Sequence, residues 1–308
     1  MPEDTSGVID IDAGTFQKPL GQIAEVLSQK IKREAPKLIT APEFVAFDLH
    51  VLIRQAQYTY DLLFYLNADE RRESDCHWKA PYSVVAFPLV RNMIDGLYNV
   101  TTILQDPGRN GPRFRKYGYK KLLMGFDEDE ARYGGEPEWD QWIAKGRAEI
   151  DFDIRQNGLT VADVMAEKEW PTLGRYIRSP QAGGTFSPHQ QFLKTLVYGP
   201  WRQYSAMAHG AFDGLMRTGI FYVSDSLPHE VRTDLEDRHL RSLSTHISEA
   251  AAILLCITTE LQAHFHFDGA NIDKRIHNVW NALMPAFVVK ELYRERYDQL
   301  MKEKGIHP

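Results

Sequence analysis

Residues 83–104 read SVVAFPLVRNMIDGLYNVTTIL. Val90, Ile94 and Leu97 fall at i, i+4 and i+7, with Tyr98 beside them, which is the repeat of one helical face. Arg91, Asp95 and Asn99 fall at i, i+4 and i+8 and make a separate polar stripe. The spacing predicts a helix over this stretch, with Pro88 near its start or at a kink. The same period recurs outward in both directions. Leu20, Ile23, Ala24, Leu27 and Ile31 line a short helix over Pro19–Arg33. Phe44, Phe47, Val51, Tyr58, Leu62 and Tyr65 recur at helical spacing within Ala41–Leu66. Further helices are expected over Phe114–Tyr133, Glu138–Gln156, Thr160–Glu167 and Leu227–Phe267, with a last helix or pair over Asn271–Lys304 interrupted at Pro285. Nowhere does a convincing two-residue alternation run over several segments. The fold class is therefore all-α, a multi-helix bundle. Residues 1–18 are expected to be a loose N-terminal arm and 19–308 a single helical domain, with residues 227–304 supplying the C-terminal helices. The turn-rich DPGRNG at Asp106–Gly111 and the SPQAGGTFSP stretch at Ser179–Pro188 read as connections, the latter suited to a mobile lid or a seam.

Composition narrows the class. With 308 residues, 43% hydrophobic and 25% charged, the chain can bury a sizeable core. A formal charge of −6 argues against indiscriminate nucleic-acid binding over the whole surface, although it leaves room for a local basic patch. The two cysteines, Cys76 and Cys256, form neither a disulfide framework nor a zinc pattern. The N-terminus, MPEDTSGVIDIDAG, has no signal-peptide core, and the longest apolar run, Ala250–Ile257, is too short to span a bilayer. The expectation is a cytoplasmic protein with no membrane association.

A second polar stripe lies in PWRQYSAMAHG, Pro200–Gly210, which reads as one helix started by its proline and stopped by its glycine. Arg202, Ser205 and His209 fall on one face. A fixed cation, a hydroxyl and an imidazole in one row suit the handling of a phosphate, with Tyr204 as a further donor. An arginine followed six residues later by a histidine resembles the short signature of HEPN-type helical proteins, many of which are metal-independent ribonucleases. An Arg91–Asp95–Asn99 helix followed about a hundred residues later by the Tyr204–Ser205–His209–Gly210 helix resembles a bacterial helical family related to them. The resemblance covers roughly residues 42–225. Gln203 stands where the ribonucleases often carry Asn, Asp or His.

The resemblance implies a HEPN-like fold and RNA binding or cleavage, in a bacterial defence or toxin setting. His209 would move protons at the ribose 2′-hydroxyl and leaving oxygen, Arg202 would stabilise the phosphorane charge, and Arg91, Asp95 and Asn99 would support them. It also implies a homodimer, because two copies of a sparse motif complete one site. A neutralising protein partner would suit a toxin.

Arg109–Lys121, RNGPRFRKYGYKK, is the candidate RNA-guiding surface. It carries Arg113, Arg115, Lys116, Lys120 and Lys121, with Phe114, Tyr117 and Tyr119 interleaved. Its alternative is a solvated helix start whose rings turn inward. Metal chemistry fits poorly. Glu236-x-x-His239 has no second copy, and with His246, Glu249, Glu260 and His264 it stretches too far along one helix to meet a single ion. No phosphate-binding glycine loop, dinucleotide fingerprint or hydrolase elbow is present, so no metal or cofactor is expected. The rival class is a non-catalytic helical scaffold in which Arg202, Ser205 and His209 form a structural hydrogen-bond network; a helical metal-binding protein is the more remote alternative.

Overall fold

A computed structural model describes residues 13–68, 83–180, 184–197, 201–208, 227–269, 271–285, 290–291 and 293–306. Among them there is no strand, and the helices are α1 (Ala13–Arg33), α2 (Ala35–Leu38), α3 (Glu43–Ala68), α4 (Ser83–Gln105), α5 (Pro107–Tyr133), α6 (Pro137–Gln156), α7 (Val161–Ala166), α8 (Leu173–Tyr176), α9 (Pro188–Leu196), α10 (Arg202–Ala208), α11 (His229–Phe265), α12 (Ile272–Leu283) and α13 (Asp298–Glu303). A five-residue π turn, Tyr293–Tyr297, leads into α13. The protein is all-α, and among the described residues no helix is long and apolar enough to cross a membrane.

The bundle is built around α11, whose 37 residues extend about 55 Å. From Ala250 to Ala263 every residue of it is buried. A helix apolar all round must be enclosed all round. Accordingly α1, α3, α4, α12 and α13 pack against it, α4 most extensively. Several of its buried polar groups are satisfied locally. Thr258 and Thr259 donate to the Leu255 carbonyl, Trp280 Nε1 donates to Thr259 Oγ1 at 3.0 Å, and Arg296 grips Glu260 with both arms of its guanidinium.

α5 and α6 form a hairpin that packs differently. Its near end reaches α3, α4 and α7, but α6 packs chiefly on α5. The hairpin has a separate small core of Tyr119, Leu123, Ile154 and Val164. Gly146 permits the close approach here: a Cβ at that position would lie 2.4 Å from the Phe126 ring. Gly111 does the same where α5 crosses α3, since its Cβ would lie 2.5 Å from a Val45 methyl carbon.

Some boundaries move. α1 begins at Ala13, inside the expected arm, and carries Pro19 within it; residues 1–12 lie outside the described residues. DPGRNG contributes a cap rather than a loop, because the Asp106 carboxylate accepts from Arg109 N and Pro107–Gly111 is already helical. In the Ser179–Pro188 connection, residues 181–183 lie outside the described residues. Its ends are tied by Gln190, which donates to the Tyr176 and Ser179 carbonyls and closes a capping box with Ser187.

The largest departure is on α3. Its core face is Val45, Leu49, Leu52, Ile53, Ala56, Tyr60 and Leu63. Of the stripe read from the sequence only Phe44 is buried; Phe47, Val51, Tyr58 and Leu62 are exposed, and the side chain of Tyr65 is outside the described residues. α3 is apolar on two sides, so periodicity offered two faces and could not choose between them.

Candidate functional site

α4 and α10 lie side by side. Two tryptophans meet the polar stripe of α4. Trp201, the residue before α10, donates from Nε1 to Asp95 Oδ1 at 3.0 Å. The Arg91 guanidinium lies 5.7 Å from the Trp201 ring centroid and 3.8 Å from Asp95 Oδ2. Asn99 accepts from Trp170 Nε1 at 3.0 Å. The polar stripe of α4 thus engages two aromatic side chains, Trp201 and Trp170.

Within α10, Tyr204 is buried, and its hydroxyl shares a 2.7 Å hydrogen bond with His246 Nδ1 on α11. Phe87 of α4 closes this pocket, with its ring centroid 5.8 Å from Tyr204 and 4.8 Å from His246. Glu249 lies one turn further on, 3.7 Å from His246. Burial pushes its carboxyl up to about 7, and among the described residues its Oε2 has no hydrogen-bond partner. Tyr204 therefore spends its hydroxyl inward rather than on a ligand. Arg202, two residues before it, is exposed, and Ser205 is half-buried. His209 and Gly210 lie outside the described residues.

The basic segment folds onto its own chain. Arg115 forks onto Asp48, at 3.0 Å from Nε to Oδ2 and 2.5 Å from Nη2 to Oδ1. Burial pushes the Asp48 carboxyl up, against the opposing pull of that guanidinium. Arg113 donates to the Glu169 carbonyl at 2.8 Å, and Lys120 donates to the carbonyls of Met165 and Glu167, each at 2.8 Å. Lys116 lies 3.6 Å from the Glu167 carboxylate. Phe114 meets Trp170 edge-on, Tyr117 packs against the core, and Tyr119 is buried, its hydroxyl accepting from Asn157. Arg113, Lys116, Lys120 and Phe114 together clasp residues 165–170, while Arg115 holds α3; Lys121 is exposed.

The metal candidates are dispersed. Glu260 holds Arg296, His246 faces Tyr204, and the His264 imidazole is pulled down by burial. The side chains of Glu236 and His239 lie outside the described residues. The Tyr204–His246–Glu249 group is not anticipated by the motifs of the sequence. Its signal was available: a histidine and a glutamate at i, i+3 opening an otherwise apolar run.

Comparison of the chain with family models, with curated proteins and with solved structures finds no match.

Proposed function

We propose that the chain is a HEPN-like cytoplasmic protein that binds RNA and cuts it without a metal, in a defence or toxin setting. The observation supporting this reading is the mounting of α10. Trp201 ties it to α4 and Tyr204 ties it to α11, while Arg202 between them faces outward. A cation on a helix tied to two neighbouring helices is preorganised for a developing phosphate charge, which is where fixed charge contributes most. In this reading His209, one residue past α10, takes the proton of the ribose 2′-hydroxyl. The oxygen attacks the adjacent phosphorus, the 5′-oxygen leaves with a proton, and a 2′,3′-cyclic phosphate remains. Arg202 neutralises the phosphorane, Ser205 hydrogen-bonds a phosphate oxygen, and a second copy of the motif in a homodimer supplies the other proton transfer. Lys121 and its exposed neighbours guide the strand.

The test is cleavage of single-stranded RNA in a chelator by the wild type, Arg202→Ala and His209→Ala. Each substitution is expected to lower the rate by ~10²–10⁴-fold. The double variant should lose far less than the product, because both groups serve one transition state.

A scaffold reading is favoured by a different observation: Asp95, Asn99, Tyr204, Arg113, Arg115 and Lys120 are all engaged within the chain. It expects no cleavage by the wild type, and a lower melting temperature for both alanine variants.

A further inference from the structure

Trp201 is the centre of a cation cluster that reaches beyond the motifs of α4 and α10. Arg178 lies just past α8 and is exposed, and its Nε donates to the Gly174 carbonyl at 2.8 Å. A Cβ at Gly174 would lie 3.8 Å from Arg178 Nη2 and 3.6 Å from Trp201 Cη2, so guanidinium and indole come together over the bare backbone of that glycine. The Arg91 guanidinium approaches the same indole, 5.7 Å from its centroid. Arg202 follows Trp201 directly in the chain and is exposed. Three elements thus bring a guanidinium to one tryptophan or next to it.

The cluster has a fixed mounting. Asp95 accepts from Trp201 Nε1. Asn99 accepts from Trp170, and Tyr98 donates to the Pro171 carbonyl, which pins the segment leading into α8 onto α4. Gln190 donates to the carbonyls of Tyr176 and Ser179, on either side of Arg178. With its Nε spent on Gly174, Arg178 keeps its two Nη groups for something outside the chain.

Its charge is not answered from within. Among the described residues neither Arg178 nor Arg202 has a carboxylate partner. Asp95 is 3.8 Å from Arg91 and already accepts from Trp201. Arg91 Nε is buried and has no hydrogen-bond partner among the described residues. Arg175, three residues before Arg178, is by contrast held by Glu169. In a chain of formal charge −6, this excess of cations is a local reversal of field. Guanidinium forks match phosphate oxygens, and a ring among cations suits a strand that alternates phosphates with bases. We propose that Arg178 binds a second phosphate of a single strand, beside the one faced by Arg202. The inference rests on the strand-binding half of the proposed function and on none of its cleavage chemistry.

The test is fluorescence anisotropy of an end-labelled 2′-O-methyl RNA strand, titrated with the full chain between about 50 and 200 mM salt. Such a strand has no free 2′-hydroxyl to attack, so binding is read apart from cutting. Arg178→Gln should weaken binding about 10-fold at low salt, the worth of one charge-assisted hydrogen bond. It should also lower the slope of log affinity against log salt by ~0.7, the share of one phosphate in a single strand. Arg178→Lys keeps the charge and should keep the slope. Arg175→Gln should leave affinity and slope alone, since Glu169 already holds that cation. All three substitutions are at exposed positions, so circular dichroism should match the wild type.

An unchanged slope for Arg178→Gln overturns the assignment, and so does an equal fall for Arg178→Lys or Arg175→Gln. Displacement of the strand from the wild type by a mononucleotide at equal phosphate concentration also overturns it, and gives the cluster to a free anion. A wild type that binds no strand removes both this contact and the RNA reading. Cleavage of unmodified RNA is assayed separately. Binding that depends on Arg178 without any cutting leaves the contact and sinks the chemistry; cutting by a chain indifferent to Arg178→Gln sinks the contact alone.

Discussion

α11 and α6 are both long helices carrying large apolar residues, yet they reach stability by opposite routes. Along Ala250–Ala263, α11 is buried on every side and touches α1, α3, α4, α12 and α13. α6 packs chiefly on α5 and buries only Ile143 and Ile154, leaving Trp142 and Phe152 exposed. Burying a large apolar side chain fully is worth ~1.5–3 kcal/mol. The bundle collects that many times over, and the hairpin only a few times. The difference teaches that stability in this chain is local: a change in the bundle should be felt everywhere, and a change in the hairpin mainly at home.

The sharpest way to break that contrast is to unpair the charge inside the bundle. Glu260 holds Arg296 through both guanidinium arms, and the Glu260 side chain is 6% exposed. Glu260→Ala leaves a cation with no partner and should cost ~3–5 kcal/mol. Chemical denaturation of the whole chain should show it as one shifted transition. A loss below about 1 kcal/mol would mean that the bundle is not the cooperative unit.

The next effect is set by pH. The ordinary Glu value is 4.5, and burial pushes Glu249 up to about 7. A folded value above the unfolded one means that the native state binds the proton more tightly. Its contribution is therefore full below pH 4.5 and is lost as pH rises toward 7. The span is on the order of 3 kcal/mol, at ~1.4 kcal/mol for each tenfold gain in proton affinity. Glu249→Gln keeps the shape without the charge, so the variant should gain on the wild type between pH 5 and 8. His189 runs the other way. Burial pulls its imidazole down to about 3, so its contribution is lost as pH falls below 6.5. An identical pH profile for Glu249→Gln and wild type would remove Glu249 from the account.

Both regions were legible in the sequence as helices, but not as environments. Val90, Ile94 and Leu97 are buried as their spacing required. The α3 stripe was apolar and periodic yet faces outward, because a helix with two apolar sides gives one signal for both. The motif helices were found and do lie together. What joins them was not legible: Trp201 to Asp95 and Tyr204 to His246 span 106 and 42 residues, and spacing along a helix carries no information across that distance. The contacts of the basic segment were hidden for the same reason. Its charges are visible in the sequence, whereas the carbonyls of Met165, Glu167 and Glu169 that absorb them have no side-chain signature.

The hairpin yields a smaller, localised effect. Ile154 is fully buried against Tyr119, Leu123 and Val164. Ile154→Ala should cost ~2–4 kcal/mol within that cluster. Hydrogen exchange should quicken through α5, α6 and α7 while the amides of α11 keep their protection. Equal loss of protection in both would show that hairpin and bundle open together, and would collapse the contrast.

The smallest effect is expected at the edge of the hairpin. Trp142 is 53% exposed and meets Phe126 and Trp139 edge-on, with ring centroids 5.6 Å away in each case. Trp280 in the bundle is buried, stacks on Tyr297 at 5.1 Å and donates to Thr259. Truncating a tryptophan removes the same atoms in either place. A buried one costs ~3–5 kcal/mol, because a cavity is left and its contacts vanish. An exposed one leaves no cavity, and half of its surface was never withdrawn from water. What remains is the edge-on contact, worth ~0.5–1.5 kcal/mol when fully made. Trp142→Ala should therefore shift global stability by less than about 1 kcal/mol while Trp280→Ala approaches the larger figure, both measured by denaturant unfolding monitored through circular dichroism. Comparable losses from the two would mean that the aromatic row on the hairpin is covered in solution, and that α6 has a partner beyond α5.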